Sequence, residues 1–265
     1  MRVGRMTLSA HPRGRGGLSF LHAWKAARMP SSTVVIDARF RGPPASANGG
    51  YACALVAREL DGPVEVTLRA PPPLGTPLAV RRRDDGAELL DGEALVATAR
   101  PASVAVAPPG PVSLDEARRA ASRYPWRDDH PYPTCFVCGP ERAPGDGLGI
   151  FPGPVDDGSR YAAPWTPDPS LAGADGRVRD EYVWAALDCP SGIVTDLLGD
   201  LGRILLGRMA ADLRVPVAAG RPHVVQAWPV GRDGRKLSTA SALWTADGRL
   251  CAVARATWIE TRPGA

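Results

Sequence analysis

Apolar and polar positions begin to alternate at Thr33-Val-Val-Ile-Asp-Ala-Arg-Phe40, which reads as a first strand, whereas residues 1–30 keep no sustained period. Order is therefore expected from about residue 33. After the Pro/Gly loop Gly42-Pro-Pro-Ala-Ser-Ala-Asn-Gly-Gly50 comes the run Tyr51-Ala-Cys-Ala-Leu-Val-Ala-Arg-Glu-Leu60, closed by Asp61-Gly62. It is small and apolar on nearly every side until Arg58, so it predicts a helix buried all round rather than half exposed. Strand-like runs follow at 63–70, 76–84, 87–91 and 93–107, with turns at Pro71-Pro-Pro73, Asp84-Asp-Gly86 and Asp91-Gly92.

Residues 108–134 open with Pro108-Pro-Gly-Pro111 and carry Ser113-Leu-Asp-Glu116, a capping box that predicts a short helix to about 122. Beyond them the same order returns. Strand-like Leu148–Phe151 and Arg160–Pro164 precede a long Gly/Asp/Pro loop, then the helix Asp180-Glu-Tyr-Val-Trp-Ala-Ala-Leu-Asp188. Strands fit 203–215, 222–231, 235–246 and 250–260, with hairpin signals at Asp233-Gly234 and Asp247-Gly248. The chain thus reads as a duplication in pattern: a tail over 1–32, units over 33–107 and 135–260, and a linker with one helix between them.

Composition narrows the classes. At 44% hydrophobic and 23% charged the sequence is neither disordered nor fibrous, and no apolar run reaches the 18 residues of a membrane-spanning helix. The net charge of +4 is misleading, because residues 1–30 hold Arg2, Arg5, Arg13, Arg15, Lys25 and Arg28 with no acid, leaving the rest at −2. With 30 Arg against 2 Lys, the bias suits a GC-rich coding sequence, and no nucleic-acid partner is expected. Five scattered cysteines fit a reducing, cytoplasmic setting better than a disulfide framework.

Among polar residues, Asp188 stands out. Val183, Trp184, Ala185, Ala186, Leu187 and Cys189 surround it in sequence, and an unpaired buried carboxylate costs several kcal/mol or is driven to protonate. Either it faces a cavity, or it serves the fold by capping the segment near Ser191 or bonding a neighbouring strand. Pro190 cannot donate to the Ala186 carbonyl and disfavours helical geometry at Cys189, which predicts a kink or break beside the carboxylate. Cys135-x-x-Cys138 invites a zinc or redox reading, but zinc needs about four ligands. No second Cys or His pair follows, and His130 does not complete a set, so packing is expected and no metal or cofactor. Cys189 has no adjoining His and reads as inert core. Ser191 lies outside any Gly-x-Ser-x-Gly elbow, and no phosphate-binding Gly-x-x-x-x-Gly-Lys loop exists.

One helix against a long antiparallel sheet, given twice, resembles the hotdog fold, and two copies in one chain resemble the double-hotdog acyl-CoA thioesterases. The residues that carry the likeness are Ala47-Asn-Gly-Gly-Tyr51, Cys135-Phe-Val-Cys-Gly139 with Gly147-Leu-Gly149, Trp184-Ala-Ala-Leu-Asp-Cys-Pro-Ser-Gly192, and the closing hairpin 242–257. The resemblance implies an α+β tandem (double) hotdog that hydrolyses an acyl-CoA or related acyl thioester without a metal, as a monomer or homodimer. It places Asp188 as general base or nucleophile and Asn48 with Gly49 and Gly50 at the oxyanion. Tyr51, Trp184 and Trp165, the last as a pocket lid, are expected near the acyl group. Arg81, Arg82 and Arg83, or Arg203, Arg208 and Arg214, could meet coenzyme A phosphates, the competing reading being solvated strand edges. The closing strand lacks the Gln that some such thioesterases use, and Gln226 lies on an earlier strand, so a non-catalytic module binding an acyl or acyl-CoA ligand is the alternative. His11, His22, His130 and His223 all fall outside the two helices, against a dehydratase.

Overall fold

Helix α1, Gly49–Ala57, starts where Asn48 caps it: Oδ1 accepts from the Tyr51 amide at 2.9 Å, and apolar residues follow to Ala57. Every residue from Gly50 to Ala57 is buried, as the unbroken apolar run predicts. The structure, a computed structural model, describes residues 32–261. Ser32 already opens the first strand, and the expected tail before it lies outside the described residues.

The strands are β1 Ser32–Val35, β2 Val64–Leu68, β3 Pro77–Arg83, β4 Gly86–Asp91, β5 Ala94–Pro101, β6 Gly153–Pro154, β7 Tyr161–Trp165, β8 Ile204–Leu213, β9 His223–Asp233, β10 Lys236–Thr245 and β11 Leu250–Glu260. They form one sheet in the order β1-β3-β4-β5-β2-β8-β11-β10-β9-β7-β6, every neighbouring pair antiparallel. The join between the halves is β2 on β8, Val64 to Thr67 against Ala211 to Arg208. Helix α1 packs on β2, β4 and β5, and helix α3, Asp180–Ile193, packs on β9, β10 and β11. The two helices touch each other, and that contact positions the site.

Four expectations need correction. The strand expected over 33–40 ends at Val35, and Ala38–Phe40 form a 3-10 turn because Asp37 Oδ1 accepts from Arg39 N at 2.7 Å and caps it. The strand expected over 93–107 stops at Pro101, opposite Val64 where its partner β2 begins; one further bond, from Ala102 N to Pro63 O at 3.0 Å, closes the pairing, and Pro63 has no N–H to return. Leu148–Phe151 is no strand of the sheet: Leu148 and Ile150 donate instead to the carbonyls of Phe136 and Val137 in the cysteine-bearing turn. Helix α3 does not break beside Asp188 but runs through Pro190 to Ile193. An interior proline costs about 3 kcal/mol. Here neighbouring hydroxyls take carbonyls around it, Ser241 Oγ donating to Leu187 O at 2.8 Å and Ser191 Oγ to Asp188 O at 2.7 Å. Burial of nearly the whole helix offsets the rest.

The linker is docked on the sheet. Its helix α2, Leu114–Ala121, is capped by Ser113, and Val112, Ala117 and Ala120 pack against Val155, Ala162 and Val224. Fully buried Gln226 on β9 fastens it, Oε1 accepting from Val112 N at 2.5 Å and Nε2 donating to Gly110 O at 3.3 Å. Gln226→Ala leaves the buried Val112 amide without its partner and is expected to cost about 1–3 kcal/mol in urea unfolding.

His223, at the start of β9, is 1% exposed and bonds the Arg221 carbonyl through Nδ1 at 2.8 Å. Burial lowers its pKa from the usual 6.5. The unfolded chain therefore binds the proton first on acidification, so this contribution to stability is complete above about pH 6.5 and falls away below it. Between about pH 7.5 and 5.5 the unfolding free energy of the wild type is expected to fall relative to that of His223→Asn, the difference between the two isolating the histidine from the buried acids.

Candidate functional site

The short loop before α1 and the middle of α3 meet at a buried carboxylate. Asp188, 1% exposed, receives two hydrogen bonds on Oδ2: Asn48 Nδ2 donates at 2.9 Å and Gly50 N at 2.8 Å. Asn48 works at both ends of its amide, since its Oδ1 caps α1 while its Nδ2 holds the acid. The contact depends on Gly50 having no side chain. A methyl there would stand 2.6 Å from both Asp188 Cβ and the Trp184 carbonyl oxygen. The other oxygen, Asp188 Oδ1, is buried and has no hydrogen-bond partner. Burial pushes the acid up to about 7, against the opposing effect of the Gly50 and Asn48 donors.

Asp188 lies on the wall of a cleft of about 1030 Å³. Leu68, Tyr132, Ile204, Leu206, Trp126 and Trp258 give it apolar surface, and Arg69, Arg203, His130 and Asp196 add polar groups. The register shift between Thr257 and Trp258 on β11 re-aims the strand there. Trp258 Nε1 then donates to Ser191 Oγ at 3.0 Å, one turn along α3 from Asp188. His130 Nδ1 accepts from the Tyr132 amide at 2.8 Å, which places the ring hydrogen of the neutral form on Nε2. That Nε2 is buried without a partner.

Of the residues singled out in the sequence, Asn48, Gly49 and Asp188 line the cleft. Gly50 lies behind them, at the helix contact. Asn48 Nδ2 and the Gly50 amide are engaged with the carboxylate, so they hold the acid rather than face an incoming oxygen. Tyr51, Trp184 and Trp165 are core. Tyr51 stacks on Phe40 at 4.3 Å within a cluster holding Phe136 and Tyr182, Trp184 is 4% exposed, and Trp165 sits in β7 beside His223, no lid. Among the arginines, Arg203 reaches the cleft; Arg83 pairs with Glu88, Arg214 with Asp212, and Arg208 donates to Thr67.

Trp126, His130, Tyr132, Trp258 and three cysteines on the cleft were not foreseen as site residues. Cys135, Cys138 and Cys189 gather with all three sulfurs within 4.8 Å of one another, Cys135 and Cys189 at 3.6 Å. Bonds from the Cys138 and Cys189 thiols, with backbone N–H groups of Cys138 and Val137, hold Cys135 well below the ordinary thiol range.

No family profile matches the chain, and no curated protein matches it. Solved structures do match. A candidate thioesterase from Novosphingobium aromaticivorans is 15% identical over 87% of this chain and 95% of its own, with a TM-score of 0.58. The tesB protein of Mycobacterium avium subs paratuberculosis is 10% identical, the match covering 87% of this chain and 92% of that one at a TM-score of 0.57. A hot dog fold protein from Alicyclobacillus acidocaldarius is 14% identical over 87% and 93%, at a TM-score of 0.54. At such identities the likeness is one of fold: the chain has the hotdog fold. Among the described residues no helix is long and apolar enough to cross a membrane.

Proposed function

We propose that the chain is a tandem double hotdog, with units over 33–107 and 135–260 joined by 108–134, and that it hydrolyses an acyl thioester in the cleft between its two helices. The observation that carries this reading is Asp188, a buried acid on a residue that lines a large cleft, with one oxygen fixed by two donors and the other without a partner. A carboxylate so oriented can take a proton from a water molecule as that water attacks a thioester carbonyl. Gly49 opens α1 on the same wall, and its amide supplies the donor for the developing oxyanion, with the positive end of the helix behind it.

The cleft is at the upper end of the size range of small-molecule pockets, about 300–1,000 Å³, which suits a long acyl ligand. Its apolar lining accepts the acyl chain, and Arg69 with Arg203 offers cationic contacts for the phosphates of coenzyme A. The hotdog likeness to proteins named as thioesterases supports the same class of reaction. The test is incubation with a panel of acyl-CoAs of different chain length while free thiol is followed. Release above the buffer rate with at least one chain length is expected. Thermal stabilisation by acyl-CoA with no thiol release from any of them would leave a binding module instead.

A further inference from the structure

The sequence offers Cys135-x-x-Cys138 without a second pair, and α3 supplies the missing partner from 51 residues further on. Among the described residues, Cys135, Cys138 and Cys189 form the one cluster of three metal-ligating side chains. We propose that these three thiolates bind one zinc ion on the wall of the cleft, with the fourth coordination position facing the cleft. This inference stands on the geometry of the thiols and does not rest on the hydrolase reading.

Four observations support it. Tetrahedral zinc with bonds near 2.3 Å sets its sulfur ligands about 3.8 Å apart. The Cys135 and Cys189 sulfurs already stand at 3.6 Å, and the third lies within 4.8 Å of both. Secondly, Asn48 Nδ2 donates to the Cys189 sulfur at 3.5 Å, the kind of contact that stabilises a metal-bound thiolate.

Thirdly, Gly139 closes the turn. Its amide donates to the Cys135 carbonyl at 3.0 Å, and a methyl on it would lie 2.5 Å from the Cys135 nitrogen and the Pro133 carbonyl oxygen, so the knuckle requires glycine there. The turn is anchored from outside as well: Phe136 N donates to Arg41 O, and Leu148 and Ile150 donate to Phe136 and Val137. Finally, two buried polar atoms without partners, Asp188 Oδ1 and His130 Nε2, belong to residues that line the same cleft as the sulfurs. A water on the open position of the metal would be a partner for either.

The experiment loads the full-length reduced protein with zinc, desalts it and measures bound metal by mass spectrometry. Cobalt loading then reads the ligand type through thiolate-to-cobalt charge-transfer absorption. The expected result is one zinc per chain, a charge-transfer band with cobalt, and loss of both in Cys138→Ser and Cys189→Ser. Both should persist when Cys53 and Cys251, which lie outside the cluster, are changed to Ser. If either cluster variant fails to fold by circular dichroism, the wild-type protein decides: zinc slows alkylation of Cys135, Cys138 and Cys189 and a chelator restores it. No retained zinc, retained zinc without a charge-transfer band, retention undiminished in a folded Cys189→Ser, or alkylation indifferent to zinc overturns the proposal. A Cys135–Cys189 disulfide in protein that binds no zinc when reduced overturns it too.

Discussion

Asp188→Asn lowers acyl-CoA hydrolysis by about 10²–10⁴-fold, the span that positioned acid–base catalysis contributes. The substitution keeps the shape of the side chain. Its carbonyl oxygen can still accept from Asn48 Nδ2 and Gly50 N, which now donate to Asp188 Oδ2 at 2.9 and 2.8 Å. What disappears is the second oxygen, the buried atom without a partner, replaced by an amide nitrogen that cannot take a proton. The loss should therefore fall on kcat/KM for hydrolysis while binding of acyl-CoA, read by thermal shift, survives. The folded protein should be no less stable than wild type, because a 1% exposed carboxylate has been exchanged for a neutral group. Full turnover in a folded Asp188→Asn protein would remove the residue from the mechanism.

Gly50→Ala is expected to push the two central helices apart. The added carbon would stand 2.6 Å from Asp188 Cβ, 2.6 Å from the Trp184 oxygen and 3.0 Å from the Trp184 carbonyl carbon. These are mostly backbone atoms of a buried helix, so the helices must part. Overpacking of this kind costs about 3 kcal/mol, equivalent to a fall in Tm of about 6–12 °C for a domain of this size. Separation also stretches the bond from the Gly50 amide to the acid, so hydrolysis should fall together with stability. At neighbouring Gly49 the nearest atom to an added methyl is the flexible end of Leu206, at 2.7 Å, and Gly49→Ala should cost less in Tm. Urea and thermal unfolding of the two variants, side by side, measure the difference; equal Tm values would mean that the helix contact is not as tight as described.

Much of this was legible in the sequence because it depends on local chemistry. The unbroken apolar run from Tyr51 gave α1 and its burial, although the helix starts two residues earlier, at Gly49 behind the Asn48 cap, and Ser113-Leu-Asp-Glu116 gave α2. Asp188 could be picked out because a lone acid among apolar residues needs a physical reason. The rest was set by pairing across the chain. Nothing near Asp188 in sequence announces Asn48 and Gly50, 140 and 138 residues away, as its partners. The break expected at Pro190 ignored the serines, one of them on β10, that take neighbouring carbonyls. Tyr51 and Trp165 carry the side chains of a binding site but meet the core, since burial of large aromatic rings outweighs their polar tips. The cysteine pair was dismissed for want of ligands because the third comes from α3.

The central claim is that a substrate carbonyl comes to rest within reach of a water held by Asp188. A crystal structure of Asp188→Asn soaked with an acyl-CoA that the wild-type protein cleaves tests it most directly, since the variant leaves the thioester intact. The account predicts the acyl chain in the cleft and the thioester carbon in the near-attack range, about 3–3.5 Å from a water held by residue 188, with its oxygen toward the Gly49 amide. Acyl-CoA bound with its thioester away from α1 and α3 would contradict it.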